Sequence, residues 1–133
     1  MAKIIDPTMR YKEQSIQTAT QGELTLMLFN GCIRFLRLAM RAIDESNVPD
    51  AHENISRAQA IICELMMSLN MEYEPAANFM SLYTYMYRQL ITANMRKEKE
   101  PIEIVIELIG ELKDGWEKAL KQPQQPMMRS MQG

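Results

Sequence analysis

Apolar positions along residues 20–40, TQGELTLMLFNGCIRFLRLAM, recur at helical spacing on two faces at once. Leu24, Leu28, Gly31, Phe35, Leu38 and Ala42 step by four and three, which marks one stripe of a helix directed at a core. Phe29, Ile33, Leu36, Met40 and Ile43 step the same way, on a second stripe roughly 100° around. Only Asn30, Arg34, Arg37, Arg41 and Asp44 are left as a polar stripe. The spacing assigns the first stripe, with Phe35, to the core of the protein. The second stripe then needs a cover.

The helix boundaries come from capping signals. Thr20 and Glu23 form a T-x-x-E capping box at the start of the first helix, and Pro49 prevents its continuation beyond about Ser46. Some 26 residues give a rod of roughly 39 Å. Asp50 and Glu53 predict the start of a second helix with a core stripe of Ile55, Ala58, Ile62, Leu65 and Leu69, ending near 70–72. Pro75 suits the first turn of a third helix, with Phe79, Tyr83, Met86, Leu90 and Ala93 on one stripe. Pro101 opens a fourth, with Ile102, Val105, Ile109, Leu112, Trp116 and Ala119. The second and third helices repeat the excess of the first. Cys63, Met66 and Met67 lie off the core stripe of one, and Ala76, Met80, Tyr87 and Ile91 off that of the other.

Four amphipathic helices on short turns predict an all-α fold, an antiparallel up-down four-helix bundle over 20–121. Gly31, inside an apolar stripe, allows a neighbouring helix to come close. Residues 1–19 read as an N-terminal arm with at most one short extra helix near 10–17, and residues 122–133, QPQQPMMRSMQG, as a flexible C-terminal tail. The arm carries Ile4, Ile5, Met9, Tyr11 and Ile16, enough apolar surface to shield part of an open groove.

Composition adds exclusions. The net charge of −2 and the absence of a dense basic run argue against nucleic acid as a partner. The start, MAKIIDPT, is too short of apolar residues for a signal peptide, and no stretch of about 18 apolar residues suits a membrane span, so the expected location is the cytoplasm. Cys32 and Cys63 sit in apolar helical patterns and read as reduced core thiols. His52 stands alone at a helix start, and no Glu-x-x-His occurs, so no metal site and no cofactor is expected. Glu103, Glu107, Glu111 and Asp114 form a line on the fourth helix that reads as a solvated face. No nucleophile–base pattern appears, and an enzyme is not expected. Methionine is the outlier, at 13 of 133 residues; it serves either as core filler or as an adaptable binding surface.

TATQGELTLMLFNGCIRFLRLA, LYTYMYRQLITAN and the late Trp116-x-x-Ala119 together resemble the flagellar secretion chaperone family FliS, over roughly residues 7–120. Its pattern of T-x-x-E-L-x-x-M-L-aromatic-x-G is long and specific. This chain departs from it with Gln21, where proline is common, and Phe29, where tyrosine is common. The resemblance implies a chaperone that binds the disordered C-terminal segment of flagellin in apolar grooves, prevents premature polymerisation and aids delivery to the flagellar type III export gate. The client would cover the extra stripes, which nominates Phe29, Ile33, Leu36, Met40, Met66, Met67, Met80, Tyr87 and Ile91 as client-binding residues. The resemblance also suggests Tyr11 as a contact to the export gate protein. The alternative is a structural bundle that buries the same stripes in a homodimer, a state also open to the client-free chaperone.

Overall fold

The computed structural model describes residues 19–72 and 75–121. These form α1 (Gln21–Asp44), α2 (Val48–Met67), α3 (Ala76–Arg96) and α4 (Glu100–Leu120). Each helix packs on its neighbours in sequence, and α4 closes the ring on α1. The directions alternate. The start of α1 meets the end of α4, where the Trp116 indole N–H donates to the Gly22 carbonyl at 2.8 Å. The end of α1 meets the start of α4, where Lys99 Nζ lies 2.7 Å from Asp44 Oδ1. The ammonium of Lys99 titrates above its ordinary value, held charged chiefly by the hydrogen bond to Asp44. The architecture is the expected four-helix bundle.

Local chemistry sets the boundaries. Thr20 Oγ1 accepts from the Glu23 N–H at 3.2 Å, and the Glu23 carboxylate reaches back to the Thr20 N–H, completing the capping box. The start of α2 differs from the sequence expectation. Asn47, not Asp50, is the cap, and its side chain accepts from the Asp50 N–H at 3.2 Å. The helix therefore begins at Val48, with Pro49 in its first turn, where a missing N–H leaves nothing unsatisfied. It also ends at Met67, short of the expected 70–72. The turns at 45–47 and 97–99 are three residues each, and each holds one residue in the left-handed region, Ser46 (φ 55°) and Lys97 (φ 51°).

The core stripes of the later helices follow the pattern. Ile55, Ala58, Ile62, Leu65 and Leu69 of the α2 segment are buried, as are Tyr83, Met86, Leu90 and Ala93 of α3 and Ile102, Val105, Ile109 and Trp116 of α4. Phe79, Leu112 and Ala119 are only half-buried.

Helix α1 is turned the other way from the sequence expectation. Its buried face is Thr25, Phe29, Cys32, Ile33, Leu36, Ala39 and Ala42. Leu24, Leu28 and Phe35, assigned to the core, are half-buried, and Leu38 is exposed. Phe29 and Leu36, nominated for the client, are 2 % and 0 % exposed. The cause is the fit of the inward side. Phe29 meets Trp116 edge to face, with ring centroids 6.2 Å apart, and the small Ala39 and Cys32 let α2 approach. Thr25 is tolerated inside because its hydroxyl donates to the Gln21 carbonyl. Phe35 instead lies between two guanidinium groups, with Arg34 Cζ at 5.9 Å and Arg57 Cζ at 5.5 Å from its ring centroid. Gly31 does admit a neighbour, since a Cβ there would stand 3.3 Å from Ile61 Cδ1.

The open grooves and the family

The exposed apolar side chains of α2 and α3 include Met67, Ile91 and Met95, while Leu38 of α1 and Leu120 of α4 are exposed elsewhere on the ring. Met80, Thr84, Tyr87, Ile91 and Met95 step by four, three, four and four along α3, so they share one outward face. Met80 and Tyr87 are half-buried, Ile91 is exposed, and Met95 is 80 % exposed. On α2, His52 and Gln59 are two turns apart on the face that meets this line. Together with Tyr87, Ile91, Asn94 and Met95 they line a groove of about 420 Å³. Cys63 and Met66 continue that α2 face by one and two turns and are half-buried. Met67 is 79 % exposed at the helix end.

One end of the groove is polar. Lys97 Nζ donates to the Asn94 side-chain oxygen at 2.6 Å, so the Asn94 amide nitrogen is the group 2.9 Å from His52 Nδ1. That N–H donates to Nδ1, which leaves the imidazole proton on Nε2 and the ring oriented across the groove. The rest of the line offers no charge, and its chemistry is apolar burial by flexible side chains.

A second groove, also about 420 Å³, runs between α1 and α4. Ile33 and Leu38 lie in it among Arg34, Arg37, Arg41 and Lys113. The three arginines lie on the polar stripe of α1 already evident in the sequence, and the fold brings Lys113, remote in the chain, across to them. Met40 is half-buried against the core. Of the nominated residues, then, Met66, Met67, Met80, Tyr87 and Ile91 lie on the α2–α3 side. Ile33 borders the other groove, Phe29 and Leu36 are enclosed, and Tyr11 lies outside the described residues. Met95, His52 and Gln59, which are not among the nominated residues, also line the α2–α3 groove. Met95 is one turn beyond Ile91 and was legible by period, whereas the polar pair carries no apolar signal.

The thiols differ. Cys32 is fully buried, its Sγ 3.9 Å from the Ala58 carbonyl, and burial pushes its pKa up to about 12. Cys63 is half-exposed and so is not the core thiol the pattern suggested. Among the described residues no group of three His, Cys, Asp or Glu side chains is placed to hold a metal ion, and no helix is long and apolar enough to cross a membrane.

The model of the family described as "Flagellar protein FliS" matches residues 4–123. The flagellar secretion chaperone FliS of Bacillus subtilis (strain 168) is 40 % identical over 118 residues, covering 89 % of this chain and 89 % of that protein. The protein of that name from Escherichia coli (strain K12) is 32 % identical over 114 residues, covering 84 % of each. A crystal structure of a bacterial flagellar chaperone shares the fold, with a TM-score of 0.72 at 21 % identity over 86 % of this chain and 98 % of its own. The capping box, the reach of the match along the chain and the shared bundle converge on one conclusion: the chain belongs to the FliS family of flagellar secretion chaperones.

Proposed function

We propose that the α2–α3 groove holds the C-terminal segment of flagellin in the cytoplasm, prevents its premature polymerisation and presents it to the flagellar export gate. The observation that carries this reading is the open apolar line from Met67 and Met80 through Tyr87 and Ile91 to Met95. Contiguous exposed apolar surface of this kind marks an interaction site. Two facing helices with thioether side chains suit an amphipathic helix laid in the groove, with Met reshaping to fit different turns of the client. The role is binding, with no catalysed step. Tyr11 is the proposed contact to the export gate, and Tyr11→Ala should weaken export-gate binding while leaving flagellin binding intact.

Calorimetry with a flagellin C-terminal peptide tests the client assignment. Coupled folding and binding should give a negative heat-capacity change, with burial on the order of 1,000–3,000 Å², and circular dichroism should show more helix than the sum of the parts. Unchanged dichroism with no heat-capacity change rules the reading out. The same exposed methionines also fit a second copy of this chain. Sedimentation with labelled peptide separates the two: a dimer that excludes the peptide assigns this face to a second copy, whereas peptide carried by a monomer assigns it to the client.

A further inference from the structure

The second groove has the opposite chemistry. Arg34, Arg37 and Arg41 step by three and four along α1, and Lys113 faces them from α4. The described residues lining this groove include four cations and no carboxylate, in a chain with 17 acidic and 15 basic side chains. Arg41 has a carboxylate nearby, Glu45 at 3.8 Å, but both groups are largely exposed and such a contact holds little. Leu38 is 37 % exposed between the arginines, an apolar spot in a cationic frame.

We propose that the α1–α4 groove is a second docking surface, for an acidic amphipathic helix of a partner protein. Carboxylates at i, i+3 and i+7 of that helix match the spacing of Arg34, Arg37 and Arg41, and an apolar side chain between them covers Leu38. Arginine forks recognise carboxylates with two parallel hydrogen bonds, which makes the register specific. The apolar floor and the net negative charge of the chain favour such a helix over a nucleic acid. In the ring order this groove is opposite the α2–α3 groove, so client and acidic partner are accommodated together.

The test uses the full chain and a fluorescein-labelled synthetic helix that repeats Glu and Leu at this spacing, with a Gln-for-Glu counterpart, read by fluorescence anisotropy. The Glu peptide should bind at least about tenfold more tightly than the Gln peptide and weaken as salt rises. Arg37→Gln combined with Lys113→Gln should lower its affinity about tenfold or more. Arg88→Gln, an exposed arginine on α3, should change nothing. Flagellin peptide binding should survive all three substitutions. Equal binding of the two peptides, or an unaffected Arg37/Lys113 variant, overturns the proposal. So does a single-stranded oligonucleotide that binds more tightly than the Glu peptide and loses affinity in the same variant, since the groove would then be a general polyanion surface.

Discussion

Helices α1 and α3 pose the same problem in sequence and resolve it oppositely. Each carries two apolar stripes. In α3 the stripe of Tyr83, Met86 and Leu90 enters the core, and Met80, Tyr87 and Ile91 are left toward solvent. In α1 the supposedly spare stripe of Phe29 and Leu36 is the one enclosed, while Phe35 is only half-buried and Leu38 is exposed. Amphipathic period reveals how many apolar stripes a helix has. Which one faces the bundle axis depends on partners elsewhere in the chain, here Trp116 against Phe29.

The sharpest way to break this contrast is to truncate the inner side of α1. Leu36→Ala should destabilise by about 2–5 kcal/mol through lost transfer energy and a residual cavity, a large part of a typical 5–15 kcal/mol. Urea denaturation reads it, and a change below about 1 kcal/mol would place Leu36 outside the core. The outer side of the α2–α3 pair should behave conversely. Met67→Gln with Ile91→Gln should leave stability within about 0.5 kcal/mol per site, yet weaken flagellin peptide binding by up to roughly 1.5–3 kcal/mol for each anchor that the complex fully buries. Early melting of that pair would mean the bundle uses this face itself. Phe35→Ala should fall between these extremes on stability, about 1–2 kcal/mol, because a half-buried ring gives up only part of the 3–5 kcal/mol of a core phenylalanine. Loss of as much as Leu36→Ala would make both α1 stripes core and end the contrast.

The thiols sharpen the same contrast most gently. An exposed-thiol reagent should modify Cys63 in the native state, flagellin peptide should slow that reaction, and Cys32 should react only as fast as the bundle opens. Equal rates would contradict the burial of Cys32. Because its folded pKa is raised, from 9.0 to about 12, the unfolded chain loses this proton first as pH rises. The stability linked to Cys32 is fully present below pH 9 and declines between 9 and 12. The slope in that range should be shallower for Cys32→Ala.

Much of the bundle is legible in the sequence alone. Four periodic runs, the Thr20–Glu23 box and prolines at 49, 75 and 101 delimit four helices, because local hydrogen-bond chemistry decides where helices begin. The Asn47 cap was missed because Asp50 and Glu53 offer a competing box-like pattern, and only the backbone path of the tight turn chooses between them. The α2–α3 members Met66, Met67, Met80, Tyr87 and Ile91 emerge by subtracting the core stripe from the apolar positions. The same subtraction fails on α1, where both remainders have equal period and the arbiter, Trp116, is 94 positions from the Gly22 carbonyl it bonds. Three cations of the second groove, Arg34, Arg37 and Arg41, are legible as one stripe of α1, but Lys113 is not, because it meets them only across a helix pair.

The bond between Trp116 and Gly22 also fixes where the chain enters and leaves. Both ends of the bundle segment emerge at one pole, side by side, while the other pole holds only the two three-residue turns. The topology is thus nearly cyclic. A permuted gene that joins Thr20 to Lys121 through a flexible linker and opens the chain at Ser46 would preserve every helix pairing and place the new termini at the far pole. In such a molecule the first and last helices become covalent neighbours, and the longest loop closure the native chain must make becomes one of its shortest.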